Sequence, residues 1–343
     1  MTHAVVEDRE RADARLAWAR HASGDPALML ERASTDAGFR SYWRSCGAAQ
    51  ASRIVMDSPP DKEDVVPWLQ VRDLLQQHGV RVPRVLAQDT VTGFVLMEDL
   101  GGPTCLQVID ADNANALFDA AISQLLRIQA VPCADDLPAY DEAMLTRELA
   151  LFKDWFLDRH LRIRLSPSEQ LTLDHANRFL IEAALEQPQV FVHRDFMPRN
   201  LMPLDDGPAV LDFQDAVRGP IAYDPVSLFK DAFLSWPTAR VDEWLIRYHA
   251  RAAAAGLPVP VLERFRRDAD LIGVQRHLKV LGIFARLWHR DSKPRYLQDA
   301  PRFISYLEGV LPRYPELAGL AGIIESRVKP AMAATPFAAR ATA

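Results

Sequence analysis

The chain has 343 residues, 49% of them hydrophobic and 25% charged, with a formal net charge of −6. That length allows one large domain or two unequal lobes around a sizeable core, and the acidic balance gives no general electrostatic reason to bind nucleic acid or an anionic membrane. Cys46, Cys105 and Cys133 show no metal-ligand spacing and cannot all pair, which suits a reducing cytoplasm, and neither a signal peptide nor a membrane-length apolar run is evident.

In chain order, Glu7 to His21 reads as an amphipathic helix, with Leu16, Trp18 and Ala19 set among charges. Leu28–Arg32, Ser41–Ser45 and Ser52–Asp57 are short apolar segments between turn residues, expected as three successive strands. Asp61 to His78 carries a helical pattern, with Asp61 as N-cap and Gly79 just past its end. Pro83–Ala87 and Gly93–Met97 follow as two more strands around the turn-like Asp89-Thr90. Beyond Gly101-Gly102 the texture turns helical, with apolar residues at helical spacing over 111–130, 141–160 and 166–186. Val190–Val192, Leu201–Met202 and Ala209–Phe213 are short strands, the first and last expected to pair side by side. Asp224-Pro225 opens a helix to about Ser235, Asp as cap and Pro first. Helices near 241–255, 261–286 and 301–311 complete the pattern, and the Ala-rich end is expected to fray. The order predicts an α+β chain. Residues 1–100 form a small five-stranded antiparallel lobe, 101–329 a mostly helical lobe, and 330–343 a flexible tail.

One loop concentrates the chemistry. His193-Arg194-Asp195 follows the apolar strand, Asn200 lies five residues past Asp195, and Asp212-Phe213 ends the next strand pair. Phosphoryl transfer asks a protein mainly to align the nucleophile and neutralise phosphate charge. Asp195 can accept a proton from an attacking hydroxyl, while Asn200 and Asp212 offer oxygen ligands to Mg2+. Alone, each would be read as a turn or core residue; at this spacing they indicate an ATP-dependent kinase. His193 is expected to brace the loop rather than carry a proton, and the role of Arg194 stays open.

His193 through Asn200, Leu211-Asp212-Phe213, Gly219-Pro220 and Tyr223-Asp224 resemble the aminoglycoside phosphotransferase and choline kinase-like family. That resemblance implies a protein kinase-like bilobal fold. A narrower likeness rests on six segments. They are Ala37-Gly38-Phe39-Arg40 with Tyr42, Val55 to Pro60, Glu98 to Gly101, Leu211 to Ala216, Phe229 to Trp236 and Gln275 to Gly282. These are similar to the anomeric amino-sugar kinases of bacterial cell-wall recycling. The implied substrates are ATP, with Mg2+, and a small amino sugar, the C1 hydroxyl of N-acetylmuramate or N-acetylglucosamine.

The nucleotide site is less plainly written. Neither a Walker A sequence nor a kinase glycine-rich loop is present. Ser34, Thr35, Gly38, Phe39 and Arg40 occupy the corresponding place, where an ordinary hairpin would look similar. The resemblance makes Met97, Glu98 and Leu100 the hinge that meets adenine. The third strand lacks the usual kinase lysine, and the following helix offers Glu63 and Asp64 only at its start. Arg40, Arg44 or Arg53 replaces that cation, or magnesium carries more of the phosphate charge.

For the acceptor, 100° per residue puts Asp231 on the side of Asp224, which is read as a helix cap and loop brace. Gln275, Lys279 and Arg286 share one face of a strongly apolar helix, so that stripe faces water or a cleft. Its cations would suit a lactyl carboxylate. Arg276 and His277 enter by resemblance alone. Rival readings are an aminoglycoside or choline/ethanolamine-type kinase, which predicts an acidic pocket, and a nucleotide-binding pseudokinase, which the missing lysine favours. Neither nucleic acid nor membrane is an expected partner, and oligomeric state is not legible.

Overall fold

The computed structural model describes residues 2–34, 39–46, 51–132 and 137–334. The chain divides into two compact units, Met1–Gln124 with Arg199–Gln214, and Leu125–Pro198 with Asp215–Ala343. The change of texture at Leu100 marks only the end of the first sheet, and a later hairpin joins the first unit.

The first unit begins with α1 (Thr2–Ser23), β1 (Met29–Ser34), β2 (Ser41–Cys46), β3 (Arg53–Asp57), α2 (Val66–Gln77), β4 (Val85–Asp89) and β5 (Phe94–Glu98). The strands form one antiparallel sheet in the order β1-β2-β3-β5-β4. Because side chains alternate along a strand, Trp43, Val55 and Leu96 share one face and pack with Leu16, Trp18 and Ala19 of α1. Tyr42, Arg44, Ile54 and Met97 occupy the other face. Their register pairs Arg44 with Ile54 and Ile54 with Met97. Two arginines fasten α1 to the end of the central strand β3. Arg11 and Arg15 each reach the buried Asp57 carboxylate at 2.7 Å, and the Arg15 guanidinium lies 3.7 Å over the Trp43 ring. The helix expected from Asp61 starts instead at Val66. Ser58 donates to the Glu63 carbonyl at 2.9 Å, and Lys62 and Glu63 N–H groups turn back to Pro59, holding this stretch as turns. Asp64 rather than Asp61 accepts the Val66 N–H, at 2.9 Å.

The chain continues through α3 (Cys105–Val108) and α4 (Ala114–Gln129). In the second unit, α5 (Glu142–Leu151) runs on as π-helical turns over Phe152–His160, followed by α6 (Pro167–Leu185) and β6 (Gln189–Val192). A 3-10 turn, Pro198–Asn200, leads into β7 (Leu201–Met202) and β8 (Ala209–Val210) of the first unit, and β9 (Val217–Pro220) returns to the second. The expected pairing of 190–192 with 209–213 is not formed: β6 pairs with β9, and β8 with β7. The unforeseen β9 supplies the partner, because Val217–Pro220 was too short and Gly/Pro-bearing to stand out as a strand.

α7 (Tyr223–Phe229), α8 (Thr238–Ala254), α9 (Leu262–Asp291), α10 (Ala300–Val310), α11 (Ala318–Ile323) and α12 (Lys329–Ala333) complete the unit. Helix α7 ends six residues before the expected Ser235. The N-cap is Ala222, so Asp224 lies inside the first turn and is not the cap. Helix α9 has 30 residues and is the axis of the second unit, packed by α5, α6, α7 and α10. Gly282 permits the closest of these approaches: a Cβ there would lie 2.3 Å from the Leu151 carbonyl carbon, where α5 becomes π-helical.

Candidate active site

The first unit holds a cavity of about 640 Å3. Tyr42, Arg44, Ile54 and, at the end of β5, Met97 and Glu98 form its sheet wall, Asp99 to Thr104 the segment after β5, and Asn200, Leu211 and Asp212 the wall from the β7–β8 hairpin. Ser34, Met97, Glu98 and Leu100, expected around a nucleotide, all line it. Thr35 and Gly38 lie outside the described residues. Phe39 is 65% exposed and is not among the lining residues. Arg40 is buried in an ion pair with Glu63.

Strand ends make the hairpin wall rigid. The Leu211 N–H donates to the Asn200 carbonyl at 2.9 Å, and the Val210 N–H to the Arg81 carbonyl at 2.8 Å. Asn200 Nδ2 lies 3.3 Å from Asp212 Oδ2, and Gln214 Nε2 donates to Asp212 Oδ1 at 2.9 Å. Phe213 is buried with its ring 5.1 Å from that of Trp68 on α2. Asp212 has φ +65°, in the left-handed region that costs a non-glycine residue on the order of 1 kcal/mol. The packed Phe213 on one side and the hairpin bonds on the other hold it there.

At the far end of the sheet wall, Glu98 accepts from the Arg84 N–H at 2.7 Å and from Arg81 at 3.0 Å. Burial acts against its charge, but these donors keep its pKa below the ordinary value. Arg44 clasps Asp99 at 2.6 and 3.1 Å, and also donates to the Gly101 carbonyl. Arg53, another candidate for the missing lysine, donates to the Ser23 carbonyl at the end of α1.

In the second unit, Asp195 follows β6 on a loop clamped by one carboxylate. Asp224 accepts the His193 N–H at 2.7 Å and the Arg194 N–H at 3.0 Å. Asp224 is fully buried, and burial pushes its pKa up to about 7 against the pull of those two donors. Arg194, at φ +74°, is the second left-handed residue of the site. His193 is buried beside Phe196, and its Nδ1 receives the Asp195 N–H at 3.3 Å.

A buried glutamate organises the surroundings. Glu148 on α5 binds Lys279 at 2.8 Å, accepts from Gln275 at 3.1 Å, and is met by Arg194 and the Tyr140 hydroxyl. Burial opposes its charge, yet Lys279 and Arg194 bring its pKa down to about 2. Lys279 also donates to Tyr223 Oη at 3.1 Å. Gln275 and Lys279 therefore face neither water nor a cleft; they are internal, because α9 is enclosed along its middle. Arg276 and His277 are buried as well, His277 stacked on Tyr306 with ring centroids 4.9 Å apart. Arg286 is only partly buried and stands apart from the Glu148 cluster. Asp231 lies beyond the end of α7, so helical arithmetic does not orient it. Its carboxylate accepts the Phe233 N–H at 2.8 Å, and it is buried.

Glu148 and Tyr140 were missed by sequence reasoning. The usable signal was a glutamate beside Leu145 and Leu149 on the buried face of α5, where an acid is rare without a partner.

The phosphotransferase enzyme family matches residues 30–266. The chain is 52% identical over 302 residues to the N-acetylmuramate/N-acetylglucosamine kinase of Pseudomonas aeruginosa, covering 88% of this chain and 89% of that one. Identity to the kinase of the same name in Pseudomonas putida is 51% over 300 residues, covering 87% and 88%. A choline/ethanolamine kinase family protein from Mesorhizobium loti shares the fold, with a TM-score of 0.62 at 16% identity over 93% of this chain and 99% of that one. The family match takes in the five-stranded sheet, the loop of Asp195 and the hairpin of Asn200 and Asp212, and the chain belongs to the phosphotransferase enzyme family.

Proposed function

We propose that this protein is an ATP- and Mg2+-dependent sugar 1-kinase that phosphorylates the anomeric hydroxyl of N-acetylmuramate and N-acetylglucosamine. The observation that carries the kinase reading is the meeting of Asn200 and Asp212 in the wall of a cavity also lined by the segment after β5. Its volume lies in the range of small-ligand sites. The substrate assignment is supported by the two Pseudomonas relatives at about half identity.

In this reading the purine sits against Ile54 and Met97, with backbone groups of Glu98 to Leu100 at its edge. The donor set fits magnesium, a hard cation that takes one or two carboxylates and completes its shell with phosphate oxygens and water. Turning the Asn200 amide presents Oδ1 in place of Nδ2 without moving the side chain. Among the described residues no group of three or more His, Cys, Asp or Glu could hold a metal. When bound, the metal neutralises charge on the β- and γ-phosphates.

Asp195 takes the proton of the C1 hydroxyl as its oxygen attacks the γ-phosphorus, and ADP leaves. The Asp224 clamp fixes the backbone that carries Asp195, while Glu148 holds Arg194 and Lys279 beside it. The product is a sugar 1-phosphate, the form consumed by nucleotidyl transfer during salvage of wall sugars. Dependence on ATP favours the cytoplasm, and among the described residues no helix is long and apolar enough to cross a membrane.

The test is incubation with ATP and, separately, N-acetylmuramate, N-acetylglucosamine, kanamycin and choline, with ADP release followed. Turnover of the two sugars is the expected result. Turnover confined to kanamycin or choline would overturn the substrate assignment and leave the phosphotransferase chemistry standing.

A further inference from the structure

Of the three cations that the sequence offers in place of the third-strand lysine, Arg40 is set apart by its partners. Met56 stands on β3 where a kinase lysine would be sought, fully buried and paired in register with Tyr42 of β2. Tyr42 and Arg44 lie on the cavity face of β2, and Arg40 stands one residue before the start of that strand. Arg40 also hydrogen-bonds the Tyr42 side chain, which keeps it on the same face. Its other partner is Glu63, brought back to the end of β3 by the Pro59 turn and the Ser58 bond.

Spacing separates Arg40 from its rivals. Arg44 is held by Asp99 and Gly101 at the segment after β5. Arg53 is held by the Ser23 carbonyl. Arg40 lies four residues from Arg44, about 13 Å along an extended strand. That separation is comparable with the span from the purine to the phosphates of an extended nucleotide. A purine at the Arg44 and Met97 row therefore carries its phosphates toward Arg40. Arg40 Nε is buried with no hydrogen-bond partner, which leaves donor capacity unused; Arg40 itself is not among the residues that line the cavity, while Tyr42, to which it is hydrogen-bonded, is.

We infer that Arg40, oriented by Glu63, is the cation that clamps the α- and β-phosphates of the nucleotide, in place of the absent third-strand lysine. The pair is a lysine–glutamate clamp redistributed: the cation moves from the third strand to the entry of the second, and the acid from within the helix to the turn before it. Met56 is then free to be apolar. This inference rests on the kinase reading but concerns diphosphate recognition alone.

Isothermal titration of the full-length chain with ADP and with adenosine tests it. A charge-assisted hydrogen bond contributes about 1.5–3 kcal/mol, so Arg40→Gln should weaken ADP about tenfold or more and leave adenosine unchanged. Arg40→Lys should recover much of the ADP affinity. Arg44→Gln, at the purine end, should weaken ADP and adenosine alike. Equal weakening of both ligands in Arg40→Gln, or no change in either, overturns the clamp while leaving the kinase reading intact. Wild-type protein that binds neither ligand overturns the kinase reading and the clamp with it.

Discussion

Charged groups in the cavity of the first unit and around Asp195 in the second are arranged differently. Arg44, in the cavity wall, is 37% exposed, while the Asp99 carboxylate that holds it in the same wall is 7% exposed. Glu148 and Lys279 are 8% and 10% exposed and spend their charge on each other. The first arrangement leaves its cation open to solvent and to a ligand. The second has paid desolvation in advance and keeps one geometry, since a buried ion pair broken on one side leaves a costly lone charge. In the proposed function, binding and positioning would then be carried by different units of the chain.

The most forceful way to break that contrast is Asp195→Asn. Loss of a general base lowers kcat by about 10^3-fold, and ADP affinity, carried by the first unit, should not change. Stopped-assay kinetics beside ADP titration checks both, and a parallel fall in ADP affinity would contradict the separation.

Glu148→Gln strikes the positioning network itself. It leaves Arg194 and Lys279 buried without their counter-charge and should cost about 3 kcal/mol at neutral pH, with kcat lowered and KM for ATP unchanged. The folded carboxylate holds its proton only below about 2, against an ordinary 4.5. The unfolded chain therefore binds more protons across that window, and the stabilisation present above 4.5 is lost as pH falls toward 2. Denaturant melts of wild type and variant should converge over the same interval; a constant gap would show that Glu148 is not the source.

A smaller perturbation probes how the network is brought together. Gly282→Ala should cost about 1–3 kcal/mol by overpacking against the Leu151 carbonyl. Since Leu151 and Glu148 share α5, kcat should fall with stability. Ser166→Ala removes the cap that receives the Glu169 N–H at 3.3 Å, for about 1 kcal/mol. It caps α6, outside the network, so thermal stability should drop while kcat below the melting range stays the same. Equal kinetic effects from Gly282→Ala and Ser166→Ala would reduce the Glu148 cluster to ordinary structure.

What was legible in the sequence was local. The five strands of the first sheet, announced by short apolar segments between turn residues, lie within about two residues of their expected bounds, while the strand expected over 209–213 ends at Val210; Asp195, Asn200 and Asp212 stood out because their spacing is short. The loop clamp was half legible: Asp224 was read as both helix cap and loop brace, its partners lie 31 and 30 residues earlier, and the coordinates keep the brace and remove the cap. The polar stripe of α9 was misjudged for the same reason. Lysine and glutamine are mostly exposed, and nothing near Gln275 announces the glutamate 127 residues earlier that draws it inside. Pro59 and the Ser58 bond likewise overrode the helical pattern before Val66, and placed Glu63 where Arg40 could meet it.

The most direct measurement is the 31P NMR spectrum of the products formed from ATP and N-acetylglucosamine. A phosphorus resonance coupled to the anomeric proton, appearing in step with ADP, is the predicted result. A phosphate coupled to the C6 protons instead, or ADP formed with no sugar phosphate at all, would contradict the account at its centre.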